Sequence, residues 1–549
     1  RFRYLAKTSR WRRNRRNRKV TKTTILTTIP NLIENAVDNF QDHEAVVDGN
    51  LRWTFKEYGE QINAAAKAFI SKGIKPGDRI AVWAPNTARW PVAALGAHCV
   101  GAVLVPINTR FRGEEAEYIL SRTSAKILFT VTDFLDTNYV DLLKDSIDQL
   151  DLEEIVVLKG STPKDCTTWE KFIESGISIN ETELEDRSKQ ITGDDLCHIL
   201  FTSGTTGKPK GAMLEHAAVC RSYQTWCDVI GLTSTDRYLV INPFFHTFGL
   251  NAGILACLMT GATLIPHPIF DVPSVMKRIP EEKITMLPGA PTIYQTILNH
   301  PDLENFDMSS LRLAVTGAAT IPVDMIYGMR EKLGFETVVT GYGLTEASGI
   351  ATMCRHDDDP EIIAKTSGRA IEGVEVIVVN EAGSEVPPGE PGEIIIRGYN
   401  IMRGYLDDPE QTAETIDQDG WLHTGDIGVM DPMGYLDITD RKKDMIITGG
   451  FNVYPAEVEN SLMNHPEIGQ VAVIGAPDER MGEISIAFVV PAKNSSPEPR
   501  EIINWARERI ANFKVPKQII FVDSLPTNAS GKVLKFELRE RIKDSNQVD

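Results

Sequence analysis

Short apolar runs alternate with longer amphipathic stretches between about residues 30 and 400 of this 549-residue chain. The stretch 55–73 carries apolar residues at helical spacing and ends at a glycine, and the apolar run 79–84 follows it as a predicted strand. The same order recurs in the predicted helix 88–101 and the predicted strand 102–107. This alternation is typical of an α/β fold built on largely parallel sheets.

The pattern changes in the C-terminal third of the chain. Two apolar runs within residues 374–397 are joined by a loop rich in proline and glycine, which predicts a β-hairpin. After about residue 440 short strands and helices are mixed, which predicts a small α+β unit beyond a boundary at DRKKD (440–444). We therefore expect a basic extension over 1–25, a large part over 26–440 and a small part over 441–549.

The overall composition is that of an ordinary globular protein, with 42% hydrophobic and 24% charged residues. No apolar stretch reaches the ~18 residues of a membrane span, and no apolar run follows the N-terminus as in a signal peptide. Seven scattered cysteines, without a CxxC pair or a Cys/His cluster, predict reduced core cysteines rather than structural zinc or disulfides. We therefore expect a cytoplasmic protein with no integral membrane segment.

The net charge of −18 is unevenly distributed. Residues 1–19 hold ten of the 58 lysines and arginines and none of the 76 acids, so the rest of the chain is strongly acidic. Such an acidic body disfavours nucleic acid as the main partner. We interpret the basic start as a disordered extension, while a nucleic-acid arm, an anionic-lipid arm and a transit peptide stay open as alternatives.

A loop rich in glycine, hydroxyl and lysine residues, TSGTTGKPKG (202–211), follows the predicted strand 197–201. Its glycines let backbone N–H groups approach anionic oxygens, and its hydroxyl and lysine side chains add donors and positive charge, which suits the triphosphate of ATP. The spacing is not that of a P-loop, because only two residues separate its glycines and a proline follows its first lysine. The predicted phosphate-binding residues are Thr202, Ser203, Gly204, Thr205, Thr206, Gly207 and Lys208.

Two further turns of small residues follow predicted strands, GYGLTEASG (341–349) and TGAAT (316–320). Small residues permit a purine to stack against the backbone, and Tyr342 offers an aromatic face. Glu346 alone would repel a triphosphate, so its presence indicates a Mg²⁺ ion between the two.

Two candidate polar contacts lie farther along the chain. The segment GWLHTGDIG (420–428) predicts a tight turn in which the Asp426 carboxylate accepts both hydroxyls of a ribose. Arg441, fifteen residues later, offers a second contact to the nucleotide. Lys532 follows a glycine in PTNASGKVLK (526–535), a turn near the C-terminus. Each of these signals is weak alone, and their order along the chain gives them weight.

Taken together with DRKKDMIITGGFNVYPAEVE (440–459), these motifs resemble those of the adenylate-forming superfamily, which includes acyl-CoA synthetases, aryl-CoA ligases, peptide-synthetase adenylation domains and luciferases. The resemblance covers about residues 30–545. It implies a large N-terminal α/β domain of two sheets with a β-barrel, and a small α+β C-terminal domain on a hinge. It further implies that ATP, Mg²⁺ and CoA are used to convert a carboxylate into acyl-CoA, AMP and pyrophosphate through an acyl-adenylate.

The resemblance also implies roles for individual residues at matching positions. The catalytic positions are Lys532, Glu346 and Thr345, and the magnesium positions are Thr202 and Glu346. The adenine and ribose positions are Gly317, Ala318, Ala319, Gly341, Tyr342, Gly343, Asp426 and Arg441. In the C-terminal part the hinge position is Lys443, and the positions that line the pantetheine tunnel are Gly449 and Gly450.

The segment NPFFHTFGLNAG (242–253) bears on the choice of acid. Amino-acid-activating relatives carry an aspartate near this position, whereas this segment is aromatic and apolar, which predicts a medium-chain, long-chain or polycyclic acid without an amine. We expect His246, Phe248 and Ser348 to line the acyl pocket, and we favour this role for His246 over that of a base for the thiol. The segment and its neighbours also resemble the actinobacterial ligases that charge the propanoate side chain of a bicyclic sterol-degradation fragment.

Several alternatives stay open at this point. An acyl-AMP ligase that loads a carrier protein shares the motifs, as does a luciferase. A nucleotide-binding regulatory protein with a degenerate site is disfavoured by the intact Lys532, Glu346 and Asp426. A nucleic-acid binder would depend on the basic start. The sequence leaves the oligomeric state open, with a homodimer as one option.

Overall fold

A computed structural model describes residues 26–202, 209–317, 321–441, 444, 446–448, 451–453, 455–478, 481–510, 512–527 and 533–545. The predicted basic extension over 1–25 lies outside these residues and stays a prediction. Within the described part, no helix is both long and apolar enough to cross a membrane. All seven cysteines are free, and six of them are buried, as the composition predicts.

The strands up to residue 441 are short and follow the apolar runs of the sequence. In chain order they are β1 (Glu44–Asp48), β2 (Leu51–Thr54), β3 (Arg79–Trp83), β4 (Val103–Pro106), β5 (Ile127–Val131), β6 (Glu154–Lys159), β7 (Thr167–Thr168), β8 (Leu196–Thr202), β9 (Lys210–Glu215), β10 (Arg237–Val240), β11 (Thr263–Pro266), β12 (Leu313–Gly317), β13 (Thr337–Tyr342), β14 (Thr352–Met353), β15 (Arg369–Ala370), β16 (Val374–Val379), β17 (Pro391–Gly398), β18 (Gly404–Tyr405), β19 (Leu422–Met430) and β20 (Leu436–Arg441). The predicted strands 79–84, 102–107 and 197–201 are present as β3, β4 and β8.

The helices between these strands cover the sheets. In chain order they are α1 (Ile29–Phe40), α2 (Phe55–Ser71), α3 (Arg89–Cys99), α4 (Gly113–Thr123), α5 (Trp169–Ser175), α6 (Glu181–Lys189), α7 (His216–Ile230), α8 (Thr247–Gly249), α9 (Ala256–Thr260), α10 (Val272–Glu282), α11 (Pro291–Leu298), α12 (Val323–Glu331), α13 (Pro360–Lys365) and α14 (Pro409–Thr415). The predicted helices 55–73 and 88–101 are present as α2 and α3. Thr54 caps the start of helix α2, because the Thr54 hydroxyl accepts from the Glu57 N–H while the Glu57 carboxylate accepts from the Thr54 N–H at 2.8 Å.

The largest sheet has eight strands in the order β18-β9-β8-β4-β3-β5-β6-β7. The strands from β8 to β7 run parallel, and β9 and β18 are added antiparallel at one side. Every residue of β4 and β5 is buried, as expected for parallel strands covered on both faces. The sheet therefore forms the centre of the predicted α/β layers, and its β8–β9 hairpin carries the predicted phosphate loop.

A second α/β layer contains two four-stranded sheets, β10-β11-β1-β2 and β12-β13-β14-β15. Met286 joins them, because it bridges Tyr238 of β10 on one side and Leu313 of β12 on the other. The parallel pair β12 and β13 brings the two predicted turns of small residues to the same end of this layer. The predicted hairpin at 374–397 is confirmed as β16 and β17, which belong to the four-stranded antiparallel sheet β16-β17-β19-β20, while the expected barrel stays a prediction.

The described residues beyond 444 form a separate C-terminal α+β domain. Its strands are β21 (Ile446–Thr448), β22 (Phe451–Val453), β23 (Ile468–Asp478), β24 (Gly482–Pro491) and β25 (Gln518–Phe521). Its helices are α15 (Pro455–Met463), α16 (Pro499–Arg507) and α17 (Lys535–Ser545). The hydrophobic core of the larger part ends at Leu436, and two smaller cores start again at Ile446 and Ala472. The fold class predicted from the sequence is thereby confirmed, while the exact boundary at 440–444 stays a prediction.

Three histidines are packed together in the core beneath the central sheet. His98 of α3, His198 of β8 and His216 of α7 are each fully buried. The His98 ring centroid lies 5.0 Å from that of His198 and 5.7 Å from that of His216. Burial lowers the pKa of His98 well below its ordinary value, that of His198 to about 3 and that of His216 to about 4, and Asp195 opposes this shift only at His216. All three rings are therefore neutral at pH 7.

This cluster predicts a loss of stability in mild acid. Between about pH 6.5 and pH 4 the unfolded chain binds protons that the folded chain excludes, so the free energy of unfolding falls as the pH falls. At pH 5 we expect a loss of about 2 kcal/mol from each of His198 and His216 relative to pH 7.5. Urea unfolding of the wild type and of His98→Phe at both pH values measures the effect.

The His98→Phe variant removes one of the three buried rings, so its loss of stability between pH 7.5 and pH 5 should be smaller than that of the wild type. Replacement of the exposed His43 by glutamine should leave the wild-type loss unchanged, because this side chain lies outside the buried cluster. An equal loss in wild type and His98→Phe would contradict the prediction.

Candidate active site

The predicted phosphate loop connects two antiparallel strands of the central sheet. Thr202, the last residue of β8, pairs with Lys210, the first residue of β9. The predicted phosphate ligands Ser203, Gly204, Thr205, Thr206, Gly207 and Lys208 lie outside the described residues, so their contacts stay a prediction. The loop belongs to a β-hairpin, whereas a P-loop leads from a strand into a helix. The glycine spacing, which differs from that of a P-loop, therefore goes together with a different chain path, from one strand into an antiparallel strand.

Two residues predicted to hold magnesium are brought together across 144 positions of sequence. Thr202 Oγ1 donates a hydrogen bond to Glu346 Oε1 at 3.2 Å. Glu346 lies in a short 3₁₀ helix, Thr345–Ala347, directly after β13, and its backbone carbonyl accepts from the Met402 N–H at 2.8 Å. A hydroxyl and a carboxylate beside a phosphate loop are the oxygen ligands that Mg²⁺ accepts, with the remaining places filled by water and substrate phosphate.

Magnesium fits this donor set better than a metal held by protein side chains alone. Among the described residues there is no group of three or more histidine, cysteine or carboxylate side chains that could hold a metal ion. Mg²⁺ is usually held by only one or two carboxylates together with substrate phosphates. Thr202 and Glu346 satisfy that requirement.

Tyr405 is part of this site, although no sequence motif singled it out. Its hydroxyl donates to Glu346 Oε1 at 2.9 Å. Burial and then the negative charge of Glu346 raise the pKa of the Tyr405 hydroxyl, so the group stays a donor at neutral pH. The Lys210 ammonium was expected to add positive charge for phosphate. It lies 5.3 Å from the Tyr405 ring centroid and donates to Gln411 Oε1.

The predicted adenine pocket lies at the ends of β12 and β13. Gly317 pairs with Gly341 in the parallel register, and a methyl group on Gly317 would lie 2.9 Å from the Gly341 carbonyl oxygen. Only glycine fits there, because a side-chain carbon would collide with the neighbouring strand. Ala318 and Ala319 lie outside the described residues.

The predicted ribose contact is held by an aromatic residue of the adenine segment. Tyr342 Oη donates to Asp426 Oδ2 at 2.6 Å, and only 7% of Asp426 is exposed. The prediction that Asp426 occupies a tight turn is wrong, because it lies inside strand β19 and its backbone pairs with Arg441 of β20. The glycine before it has a left-handed φ of 68°, and the strand register shifts just after it, so the local signal was that of a β-bulge.

The turn that follows β13 closes tightly on itself. A methyl group on Gly343 would lie 2.3 Å from the Gly349 carbonyl oxygen. Ser348 has a left-handed φ of 55°, is fully buried, and donates its hydroxyl to the Asn400 carbonyl at 2.7 Å. Thr345 and Glu346 therefore lie in a turn whose shape is set by its own backbone and by the segment that contains Asn400.

The segment 242–253, predicted to line the acyl pocket, contacts this turn. A methyl group on Gly349 would lie 2.8 Å from Thr247 Cβ. His246 begins α8, where its Nδ1 accepts from the Phe248 N–H at 3.2 Å, and its side chain is exposed. Phe248 packs partly buried against the main core. After α8, residues Leu250–Leu255 form a π-helix, a rare geometry that is frequent at functional sites.

The structure describes only the neighbours of the residues predicted to act as catalytic lysine, hinge and tunnel wall in the C-terminal domain. Lys532, Lys443, Gly449 and Gly450 lie outside the described residues. Thr527 and Val533, on either side of the predicted lysine turn, form an antiparallel bridge. Arg110 Nη1, in the loop after β4, donates to the Thr527 carbonyl at 3.2 Å, so the base of this turn contacts the larger domain. Thr448 pairs with Phe451 across the two predicted tunnel glycines.

Comparison with known proteins agrees with this arrangement. The sequence model described as AMP-binding enzyme matches residues 33–406, and the one described as AMP-binding enzyme C-terminal domain matches residues 457–532. The chain is 48% identical, over 94% of its length and 99% of the relative, to 3-[(3aS,4S,7aS)-7a-methyl-1,5-dioxo-octahydro-1H-inden-4-yl]propanoyl:CoA ligase of Rhodococcus jostii. It is 46% identical to the ligase of the same name from Mycobacterium tuberculosis, over 94% of the chain and 99% of the relative.

Among solved structures, the anthranilate CoA ligase AuaEII in complex with anthranoyl-AMP superposes with a TM-score of 0.87 at 29% identity, over 96% of this chain and all of that one. The chain therefore belongs to the AMP-binding enzyme family of adenylate-forming proteins. Within it, the protein is an acid–thiol ligase, an ATP-dependent acyl-CoA synthetase that converts a carboxylate into acyl-CoA through an acyl-adenylate. The carrier-protein alternative is less supported, because the relatives are named as CoA ligases.

Proposed function

We propose that this synthetase activates an apolar, polycyclic acid through a propanoate side chain, as the names of its two ligase relatives describe for them. The observation that carries the proposal is the 48% identity over nearly the full length of both chains. The segment 242–253 supports it, because it contains no acidic residue that could pair with the ammonium of an amino acid. A charged amine beside Phe248 would be left without a partner, which is unfavourable.

The magnesium ion of the reaction is held by Thr202 and Glu346. When bound, it neutralises charge on the phosphates as the carboxylate substrate approaches the α-phosphate. The protein positions the two oxygen ligands beside the start of the phosphate loop, because Thr202 ends β8 and Glu346 lies in the turn after β13. The hydrogen bond of 3.2 Å between them supports this pairing.

The nucleoside is held between β12, β13 and β19. The backbone at Gly317, Gly341 and Gly343 provides a flat wall for the adenine, and the Asp426 carboxylate accepts from the ribose hydroxyls with Arg441 as the second contact. The 2.6 Å hydrogen bond from Tyr342 to Asp426 supports this role, because it orients the carboxylate at the end of the adenine wall. Such preorganised acceptors cost no rearrangement when ATP binds.

The C-terminal domain serves the two half-reactions in turn. Lys532 provides positive charge while the adenylate forms, and Gly449 and Gly450 provide a narrow passage for the pantetheine thiol once the domain has turned at Lys443. The contact between Arg110 and Thr527 supports the first arrangement, because it brings the lysine turn against the larger domain.

We further place the enzyme in the cytoplasm, which suits seven free cysteines. A homodimer and the absence of a nucleic-acid partner remain predictions.

The proposed acid class predicts a substrate order. In CoA-dependent AMP release, the bicyclic propanoate named above and medium-chain acids should give a kcat/KM at least about tenfold above that of acetate. The physical reason is that an apolar pocket gains ~0.8 kcal/mol for each CH₂ group that it buries. Phenylalanine should be a poor substrate, because its ammonium would lack a partner.

The matched control for phenylalanine is 3-phenylpropanoate, which has the same ring and carboxylate without the amine. A preference for 3-phenylpropanoate over phenylalanine would confirm the exclusion of the amine separately from the size of the pocket. If acetate or phenylalanine gave the highest kcat/KM, the proposed acid class would be refuted while the acyl-CoA synthetase activity would stand.

A further inference from the structure

Tyr405 contacts the carboxylate that the proposed function assigns to magnesium. Its hydroxyl donates to Glu346 Oε1 at 2.9 Å, and Thr202 Oγ1 donates to the same oxygen at 3.2 Å. Within the described part of the chain, no hydrogen bond reaches the other carboxylate oxygen, Oε2. The two donors therefore occupy one oxygen and leave the second available to a cation.

Tyr405 is held by two contacts of its backbone and one contact of its ring. Its backbone pairs with Ala212 of β9, the strand that follows the phosphate loop. Its N–H donates to Thr412 Oγ1 of α14 at 2.9 Å. The Lys210 ammonium covers one face of the ring at 5.3 Å from its centroid and is anchored on Gln411. The hydroxyl consequently has little freedom to move away from Glu346.

The segment around Tyr405 contacts the turn that contains Glu346 through several hydrogen bonds. The Met402 N–H donates to the Glu346 carbonyl at 2.8 Å. The Asn400 carbonyl accepts from Ser348 Oγ at 2.7 Å, and Asn400 Nδ2 donates to the Ile350 carbonyl at 2.8 Å. These hydrogen bonds to backbone carbonyls fix where the turn lies, whereas the Tyr405 hydroxyl is the contact from this segment that fixes how the carboxylate is rotated.

We propose that Tyr405 is a positioning residue for magnesium. Its hydroxyl holds the Glu346 carboxylate in the rotation that presents Oε2 to the Mg²⁺–ATP complex beside the phosphate loop. The inference rests on the proposed magnesium site and adds to it a residue that does not touch metal or substrate. Hydrogen-bond partners of metal ligands commonly change metal affinity by 10–100-fold when they are removed.

The test is Tyr405→Phe, which deletes one oxygen and keeps the ring under Lys210. In a titration of Mn²⁺ in the presence of ATP, followed by electron paramagnetic resonance, the dissociation constant should rise about tenfold or more. The Mg²⁺ concentration for half-maximal adenylation should rise by a similar factor. Thioester formation from preformed acyl-adenylate and CoA should change less than about twofold, because pyrophosphate has then already left.

Tyr435→Phe is the matched control, since Tyr435 also donates its hydroxyl to a carboxylate, Asp358, at 2.6 Å but outside the site. It should leave Mn²⁺ binding unchanged. Glu346→Gln should weaken Mn²⁺ binding strongly, and adding Tyr405→Phe to it should have no further effect.

Three results would overturn the inference. Wild-type Mn²⁺ binding in Tyr405→Phe would refute it directly, as would equal weakening in Tyr405→Phe and Tyr435→Phe. Wild-type binding in Glu346→Gln would remove the proposed magnesium site itself, and the inference with it. Weak binding in Glu346→Gln combined with wild-type binding in Tyr405→Phe would retain the magnesium site and reject only the role of Tyr405.

Discussion

Replacement of Lys532 by alanine is expected to slow formation of the acyl-adenylate by about 10²–10³-fold. In this half-reaction a carboxylate approaches the α-phosphate of ATP, and both groups are anions. A positive charge placed where negative charge builds up lowers the barrier, and it must be in position before the reaction to do so. The contact between Arg110 and Thr527 at the base of the lysine turn is consistent with such placement.

The same variant should convert preformed acyl-adenylate and CoA to thioester at nearly the wild-type rate, because that step displaces AMP and brings no new anion to ATP. Gly450→Leu should show the opposite pattern, since a bulky side chain would block the passage of the thiol. Lys535→Ala is the control for charge in the same segment, because the Lys535 ammonium is paired with Glu459 at 2.9 Å. Equal loss of both half-reactions in Lys532→Ala would contradict the division of roles.

Replacement of Gly343 by alanine is expected to destabilise the protein and to slow adenylation. The added methyl group would lie 2.3 Å and 2.4 Å from the carbonyl oxygen and carbon of Gly349, and 2.5 Å from Ile350 Cα. All three are backbone atoms, so the turn that carries Glu346 would have to open. We expect the free energy of unfolding to fall by about 3 kcal/mol and the adenylation rate to fall about 10²-fold.

Urea unfolding and single-turnover adenylation measure these two effects separately. Gly328→Ala is the matched control. Gly328 lies within helix α12, and the nearest atom to its added methyl group is the end of the Leu298 side chain at 3.2 Å. It should change stability by no more than about 1 kcal/mol. A Gly343→Ala protein with wild-type stability and rate would show that the turn is not closed as described.

Much of this fold could be predicted because its signals are local. Strands β3, β4 and β8 are apolar runs, and helix α2 has both a capping pair and a terminal glycine within one stretch of sequence. The close pairing of Gly317 and Gly341 also has a local signal, because glycines stand at the ends of two apolar runs, while their role in binding adenine stays a prediction. These predictions required no knowledge of which strands pair.

The features that were missed depend on pairing between distant segments. Tyr405 reaches Glu346 only because β18, two residues long, adds to β9 almost two hundred positions earlier. Asp426 was expected in a turn, since a neighbouring glycine resembles a turn signal, yet antiparallel pairing with β20 draws the residue into a strand. The three buried histidines are far apart in sequence and carry no shared motif, so only the packing of α3, β8 and α7 reveals them.

Both outer strands of the eight-stranded sheet are short, and this bears on how the protein avoids aggregation through the edges of this sheet. Strand β7 at one edge and strand β18 at the other contain two residues each, and each is followed closely by a helix, α5 and α14. An exposed edge recruits strands from other chains through its unpaired backbone groups, and very short edge strands offer too few of them. A chain emerging from the ribosome with its wide sheet already formed would therefore present little surface on which a cross-β aggregate could start.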